Sequence, residues 1–178
     1  MYSIDIFVQN YFSLIRTTSL TEFMYLLSGL FDFSLPFILI CICVAILIYI
    51  VRNTRYALLL LFTLAGGTIL VYLLKIFFNI ARPLDAVMSA FGQSFPSYHA
   101  TIATIFFIML MYIFDDYFKS FWRTVFNTFC IIAVLLVAFS RVYLGVHWTS
   151  DVFGGVIFGA LISYFSIIIF KKVPTVLK

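Results

Sequence analysis

The stretch Ser140-Arg141-Val142-Tyr143-Leu144-Gly145-Val146-His147-Trp148-Thr149-Ser150-Asp151 sets three ionisable side chains, Arg141, His147 and Asp151, between two long apolar runs. Of the 178 residues, 65% are hydrophobic and 10% are charged, so the surroundings implied for this stretch are a lipid bilayer. An ionisable cluster at membrane depth costs free energy, which makes it a functional-site candidate by default. Two further clusters belong with it: Lys75 to Pro83, and Pro96 to His99. Together the three hold both histidines and three of the eleven Lys and Arg residues.

Working outward, five apolar segments read as membrane helices: about 34–51, 56–78, 97–114, 122–139 and 151–170. Each approaches the ~20 residues a bilayer crossing requires. Gly66-Gly67 in the second and the Gly155/Gly159 pair in the fifth mark places where small residues let helices approach closely. Five spans put Arg52, Arg55, Lys119, Arg123, Lys171, Lys172 and Lys178 on one side. Arg16, Lys75, Arg82 and Arg141 fall on the other. The positive-inside rule assigns the first group to the cytoplasm, so all three polar clusters gather at the outer face.

Residues 3–16 do not read as a span. Ile4, Phe7, Val8, Tyr11 and Ile15 recur at helical spacing, with Asp5, Gln9, Asn10, Ser13 and Arg16 mostly opposite. This is the pattern of an amphipathic helix lying in the membrane interface. Ser19-Leu20-Thr21-Glu22 resembles a capping box that would open a second short helix, about 20–31. The alternative is one tilted span over residues 3–31. The expected organisation is therefore an all-α integral membrane protein, with interfacial helices over 1–33 and a bundle of about five transmembrane helices over 34–178. The start lacks a signal-peptide pattern, so the chain is expected to be retained whole.

Composition narrows the partners. The net charge of +4 is spread along the chain, with no basic run suited to nucleic acid. Cys41, Cys43 and Cys130 sit in apolar runs without metal-ligand or disulfide spacing, and read as small packing side chains.

The clusters carry a consistent chemistry. Lys75 and Arg82 are seven residues apart, two turns if helical, so both would face one way. Pro83 would end the helix near Arg82. Such a pair suits a phosphate, although either cation could simply snorkel toward headgroups. Ser97 is a candidate N-cap of the third span, whose first N–H groups form an anion site beside His99. Either residue could also be only a cap or an interfacial side chain. His147 and Asp151, four apart, would meet on a helix, the carboxylate fixing the imidazole tautomer. Arg141 adds a planar fork of donors. Two histidines and an aspartate also raise the possibility of a metal site. Three cations beside them would repel a divalent ion and instead favour an anion. A second functional class, a small proton-coupled transporter using the His/Asp cluster as a relay, would place those residues nearer mid-bilayer.

These residues resemble a known family. Lys75-x6-Arg82-Pro83, Pro96-Ser97-x-His99 and Ser140-Arg141-x5-His147-x3-Asp151 are similar to the three-part signature of the type 2 phosphatidic acid phosphatase superfamily, over about residues 56–160. The family usually has glycine where this chain has Tyr98. Tyrosine disfavours positive φ, and its ring is placed to narrow the pocket or touch substrate. The resemblance implies a metal-independent phosphatase with no cofactor, acting on a phospholipid or polyprenyl phosphate: undecaprenyl diphosphate, phosphatidylglycerol phosphate, phosphatidic acid or lipid A. It implies His147 as nucleophile forming a phosphohistidine, Asp151 as its partner and His99 as general acid. Lys75, Arg82, Ser97, Tyr98 (through its amide) and Arg141 would hold the phosphoryl oxygens. From the residues alone, a loop over 84–95, with Met88, Phe91 and Phe95, could border the lipid entrance, or those three could simply anchor the chain in the interface.

Overall fold

A computed structural model describes residues 2–31 and 35–173. The expected first-span start at Ser34, the boundary between 33 and 34, and Lys178 lie outside the described residues. Among the described residues there are seven helices: α1 (Tyr2–Ile15), α2 (Thr18–Gly29), α3 (Leu35–Val51), α4 (Thr54–Phe78), α5 (Tyr98–Phe114), α6 (Ser120–Tyr143) and α7 (Thr149–Lys172).

Helices α3 to α7 are the five apolar segments read from sequence. α4, α6 and α7, at 25, 24 and 24 residues, are long and apolar enough to cross a membrane; α3 and α5 are shorter apolar helices. The outward faces carry Ile50, Phe62, Phe77, Leu135 and Phe153, all exposed. An apolar surface this extensive is incompatible with a soluble monomer and matches a bilayer.

α5 is the central helix. Every residue from His99 to Phe107 is buried, as expected for a helix apolar on all sides. Its interior hydroxyls are satisfied locally, Thr101 donating to the Ser97 carbonyl at 2.9 Å and Thr104 to that of Ala100 at 2.7 Å. α7 lies close against it because Gly155 and Gly159 lack side chains. A Cβ on Gly159 would sit 2.7 Å from the Thr101 carbonyl oxygen. Gly67 faces Ile105 of α5 in the same way, whereas neighbouring Gly66 faces open space.

Two local expectations need correction. α4 ends at Phe78, before Arg82. Asn79 turns left-handed at φ 46° and its N–H bonds to the Lys75 carbonyl at 3.0 Å, a helix stop that asparagine tolerates. Lys75 and Arg82 therefore do not stack on one helix face; Arg82 arrives on the following loop. α2 begins at Thr18 with Thr17 as its cap residue, so Ser19 and Glu22 fall inside the first turns and do not form a capping box.

The amphipathic reading of α1 gains a direction. Ile4, Phe7 and Tyr11 point away from the protein, while Asp5 and Gln9 are buried against it. Asp5, Gln9 and Arg16 turn toward the protein, Asn10 and Ser13 are exposed, and Val8 packs on the core while the rest of the apolar stripe faces outward.

The charges sort to two ends. Arg52 pairs with Asp116 at 2.6 Å, Arg55 donates to the Phe170 carbonyl at 2.8 Å, and Lys171 lies 5.5 Å over the Tyr112 ring. The three polar clusters meet at the opposite end.

Candidate active site

Four chain segments converge there: the C-terminal part of α4, the 79–97 loop with the start of α5, the last turn of α6, and the 144–148 turn into α7. They enclose a cavity of about 560 Å³ whose wall includes Lys75, Arg82, Tyr98, His99, Arg141 and His147. Its described lining holds three cations and two imidazoles but no carboxylate. Ser97 and Asp151 are fully buried behind this wall rather than part of it. Ser97 precedes α5 as expected, yet its hydroxyl makes no cap bond and has no partner among the described residues.

His147 is 1% exposed. Its Nε2 lies 3.2 Å from Arg82 Nη1, and its Nδ1 lies 3.4 Å from Asp151 Oδ2. A guanidinium only donates, so Nε2 must accept and the ring proton must sit on Nδ1, facing the carboxylate. The i,i+4 meeting expected of His147 and Asp151 occurs across a helix start. Trp148 precedes α7, and Asp151 accepts its backbone N–H at 2.9 Å.

Burial holds the His147 pKa well below the usual histidine value, and the charges of Arg141, Arg82, Lys75 and His99 push it the same way. The ring is therefore neutral near pH 7, with the Nε2 lone pair directed at the cationic cavity. Burial also lowers the Arg82 pKa, opposed by Asp151, but a guanidinium stays ionised.

The cations are latched as well as gathered. Arg82 donates to the carbonyls of Gly92 (2.9 Å), Phe91 (3.0 Å) and Val146 (2.7 Å). Lys75 Nζ donates to those of Gln93 (2.7 Å) and Ser94 (3.1 Å). Arg141 donates to the Ser28 hydroxyl of α2. Met88 and Phe91 line the cavity as expected, but Phe95 does not: it packs on Phe78 and Phe158 and against Gly154.

Tyr98 is the first residue of α5, with no positive φ, so a β-carbon is tolerated at this position. Its half-buried ring lines the cavity and lies edge-on to His99, with centroids 5.8 Å apart.

Several supporting residues escaped the sequence reading. Ser94 donates to Asp151 Oδ2, and Ser28 accepts from Arg141. Asp5 accepts from the Ser150 N–H at 2.9 Å and hydroxyl at 2.8 Å. Arg16 donates to the Tyr143 carbonyl at 3.0 Å and pairs with Asp85 at 3.6 Å. Gly145, at φ 73°, leaves room for Arg16 and Gln9, each 2.6 Å from where its Cβ would stand. These partners come from distant segments, and no spacing pattern announces them.

Known proteins share this fold. A solved transmembrane PAP2-type phosphatidylglycerolphosphate phosphatase from Bacillus subtilis superposes with a TM-score of 0.87 at 26% identity, covering 98% of this chain and 88% of that one. Aquifex aeolicus LpxE shares the fold, with a TM-score of 0.76 at 23% identity over 93% of this chain and 96% of that one. In sequence, an undecaprenyl-diphosphatase of Sulfolobus acidocaldarius is 45% identical over 53 residues, 27% of this chain and 26% of that protein. A lipid A 1-phosphatase of Rhizobium johnstonii is 32% identical over 124 residues, 64% of this chain and 47% of that protein. The matches thus span about half or less of the length of these two curated relatives. The family model of the PAP2 superfamily matches residues 56–174, which hold all three polar clusters, and the chain belongs to that superfamily.

Proposed function

We propose that this protein is a metal-independent phosphatase that removes phosphate from a lipid phosphate or diphosphate through a phosphohistidine. The observation that carries this reading is His147. Its Nε2 faces Arg82 in a cation-lined cavity while its Nδ1 faces Asp151. A neutral imidazole oriented by a carboxylate is a competent nucleophile.

Nε2 attacks phosphorus, forming an N–P bond as the bond from phosphorus to the leaving oxygen breaks. His99 gives that oxygen its proton. Water then attacks the phosphohistidine, His99 takes the water's proton, and phosphate leaves as Nε2 regains its electron pair. Lys75, Arg82, Arg141 and the Tyr98 amide stabilise the phosphoryl oxygens, since phosphoryl transfer depends mainly on positioning and charge. Entry of phosphate would give Arg82 Nη1 an anionic acceptor in place of Nε2.

The cavity supports a lipid substrate. Its wall continues along α4 through Tyr72, Val71 and Thr68, a path an acyl or prenyl tail can follow. Undecaprenyl diphosphate, phosphatidylglycerol phosphate, phosphatidic acid and lipid A are the candidates. The cations at the far end of the bundle support a cytoplasmic placement of that end, and with it a site on the outer face of the cell membrane. Helices α1 and α2 form the interfacial segment, α1 setting Ile4, Phe7 and Tyr11 toward lipid.

A phosphate-release panel over these lipids, run with EDTA on detergent-purified protein, tests the reading. Turnover that persists in EDTA and disappears in His147→Ala is expected. Wild-type turnover by His147→Ala would overturn the nucleophile, and loss of activity in EDTA would overturn the metal-free mechanism.

A further inference from the structure

Ser94 is fully buried and sits where three parts of the site meet. Its hydroxyl donates to Asp151 Oδ2 and lies 3.4 Å from His147 Nδ1. Its carbonyl accepts from Lys75 Nζ at 3.1 Å, and its N–H is fixed to the Ile80 carbonyl at 2.7 Å. The hydrogen bonds have one consistent direction. The hydroxyl proton goes to the carboxylate, which leaves the Ser94 oxygen to accept from Nδ1–H together with Asp151.

We propose that Ser94 is a positioning residue of this reaction, aligning the Asp151 carboxylate and the His147 ring so that Nε2 points into the cavity. The proposal rests on the reading of His147 as nucleophile. Ser94 does not touch the phosphate; it acts through Asp151.

Two observations separate this role from simple packing. Asp151 Oδ1 has no partner among the described residues, so the carboxylate is oriented through Oδ2 alone. At Oδ2, the Trp148 N–H is the contact any capped helix start would supply, whereas Ser94 reaches in from 57 residues away. In addition, the same residue holds Lys75 through its main chain. The grip on phosphate and the aim of the nucleophile are therefore set by one segment of the 79–97 loop.

The test uses full-length protein purified in detergent. Phosphate release is measured from phosphatidic acid, phosphatidylglycerol phosphate and undecaprenyl diphosphate, with kinetics on the best-used of the three. The variants are Ser94→Ala, Ser94→Thr, Asp151→Asn, the double variant Ser94→Ala/Asp151→Asn, and His147→Ala. Ser94→Ala is expected to lower kcat on the order of 10-fold, the size expected for one lost hydrogen bond to a charged group, with KM changed less than about twofold. Ser94→Thr keeps the hydroxyl and is expected to recover most of the loss. In the Asp151→Asn background, Ser94→Ala is expected to cost nothing further, because residues that act as a unit are not additive.

Unchanged kcat in Ser94→Ala would overturn the proposal. So would a loss that multiplies fully onto Asp151→Asn, or one confined to KM. If Ser94→Ala does not fold, Ser94→Cys keeps the volume with a weak donor and carries the same comparison. An inactive His147→Ala beside a fully active Ser94→Ala removes this role and leaves the nucleophile in place. A fully active His147→Ala removes the nucleophile itself.

Discussion

Asp5, in the first turn of α1, accepts both the backbone N–H and the hydroxyl of Ser150, 145 residues further along the chain. Ser150 lies in the first turn of α7, between His147 and Asp151 in sequence. A carboxylate at a helix start satisfies N–H groups that have no intrahelical partner and favours the positive end of the dipole. Here the cap is supplied by another helix, so α1 is tied to the turn that carries His147. Asp5→Ala is expected to destabilise the protein by about 1–2 kcal/mol, the usual cost of a lost cap. Thermal unfolding in detergent measures this, and Asp5→Asn is expected to retain part of it.

The two histidines are expected to differ in rank. In the proposed mechanism His147 forms the covalent bond, so His147→Ala is expected to reduce phosphate release to background. The same mechanism gives His99 the proton transfer, and loss of a general acid typically costs ~10²–10⁴-fold, so His99→Ala is expected to leave weak activity. Initial rates under saturating lipid distinguish the two.

A pH dependence of stability follows from His147. Its folded-state pKa is depressed by burial and by Arg141, Arg82, Lys75 and His99, while the unfolded chain has an ordinary histidine. Below the ordinary value, near pH 6.5, the unfolded state binds the extra proton. Stability is therefore expected to fall as pH drops through that value toward the folded pKa, by at most about 1.4 kcal/mol per pH unit from this one group. Melting temperatures in detergent at pH 8 and pH 5.5 are the measurement. His147→Gln, which cannot titrate, is expected to reduce the slope. Activity is expected to keep its neutral nucleophile throughout the range above pH 6.5.

Glycines on two helices provide a packing test. Gly159→Val pushes a side chain into the Thr101 carbonyl and Thr104, and is expected to destabilise by about 1–3 kcal/mol or more. Gly66 meets nothing within 4 Å, so Gly66→Ala is expected to be neutral or to stabilise by about 0.5–1 kcal/mol through helix propensity. Parallel melts of the two variants check whether α7–α5 is the tight contact.

Much of the fold was legible because bilayer insertion imposes long apolar runs that stand out in any sequence. α3 to α7 fall where those runs predict them. The ends were less legible. Arg141 belongs to the last turn of α6, which continues to Tyr143, and Arg82 lies outside a helix that Asn79 stops early. Helix ends depend on single turns and local hydrogen bonds, which hydropathy averages away. The amphipathic stripe of α1 was visible, but whether its polar side met water or protein depended on Ser150, Asp85 and Gly145, residues far off in sequence.

The candidate site divides in the same way. The spacing of Lys75, Arg82, Ser97, His99, Arg141, His147 and Asp151 marks an anion site, because these side chains are costly in lipid and few in number. Spacing does not report direction. Only the tertiary structure turns Nε2 of His147 toward Arg82, draws Ser97 and Asp151 behind the cavity wall, and brings Ser94, Ser28 and Asp5 in as supports. Side-chain type and spacing alone pick out the candidate groups for chemistry and the end of the bundle where they gather. The tertiary structure decided how they are aimed, because aim depends on contacts between segments that share no local pattern.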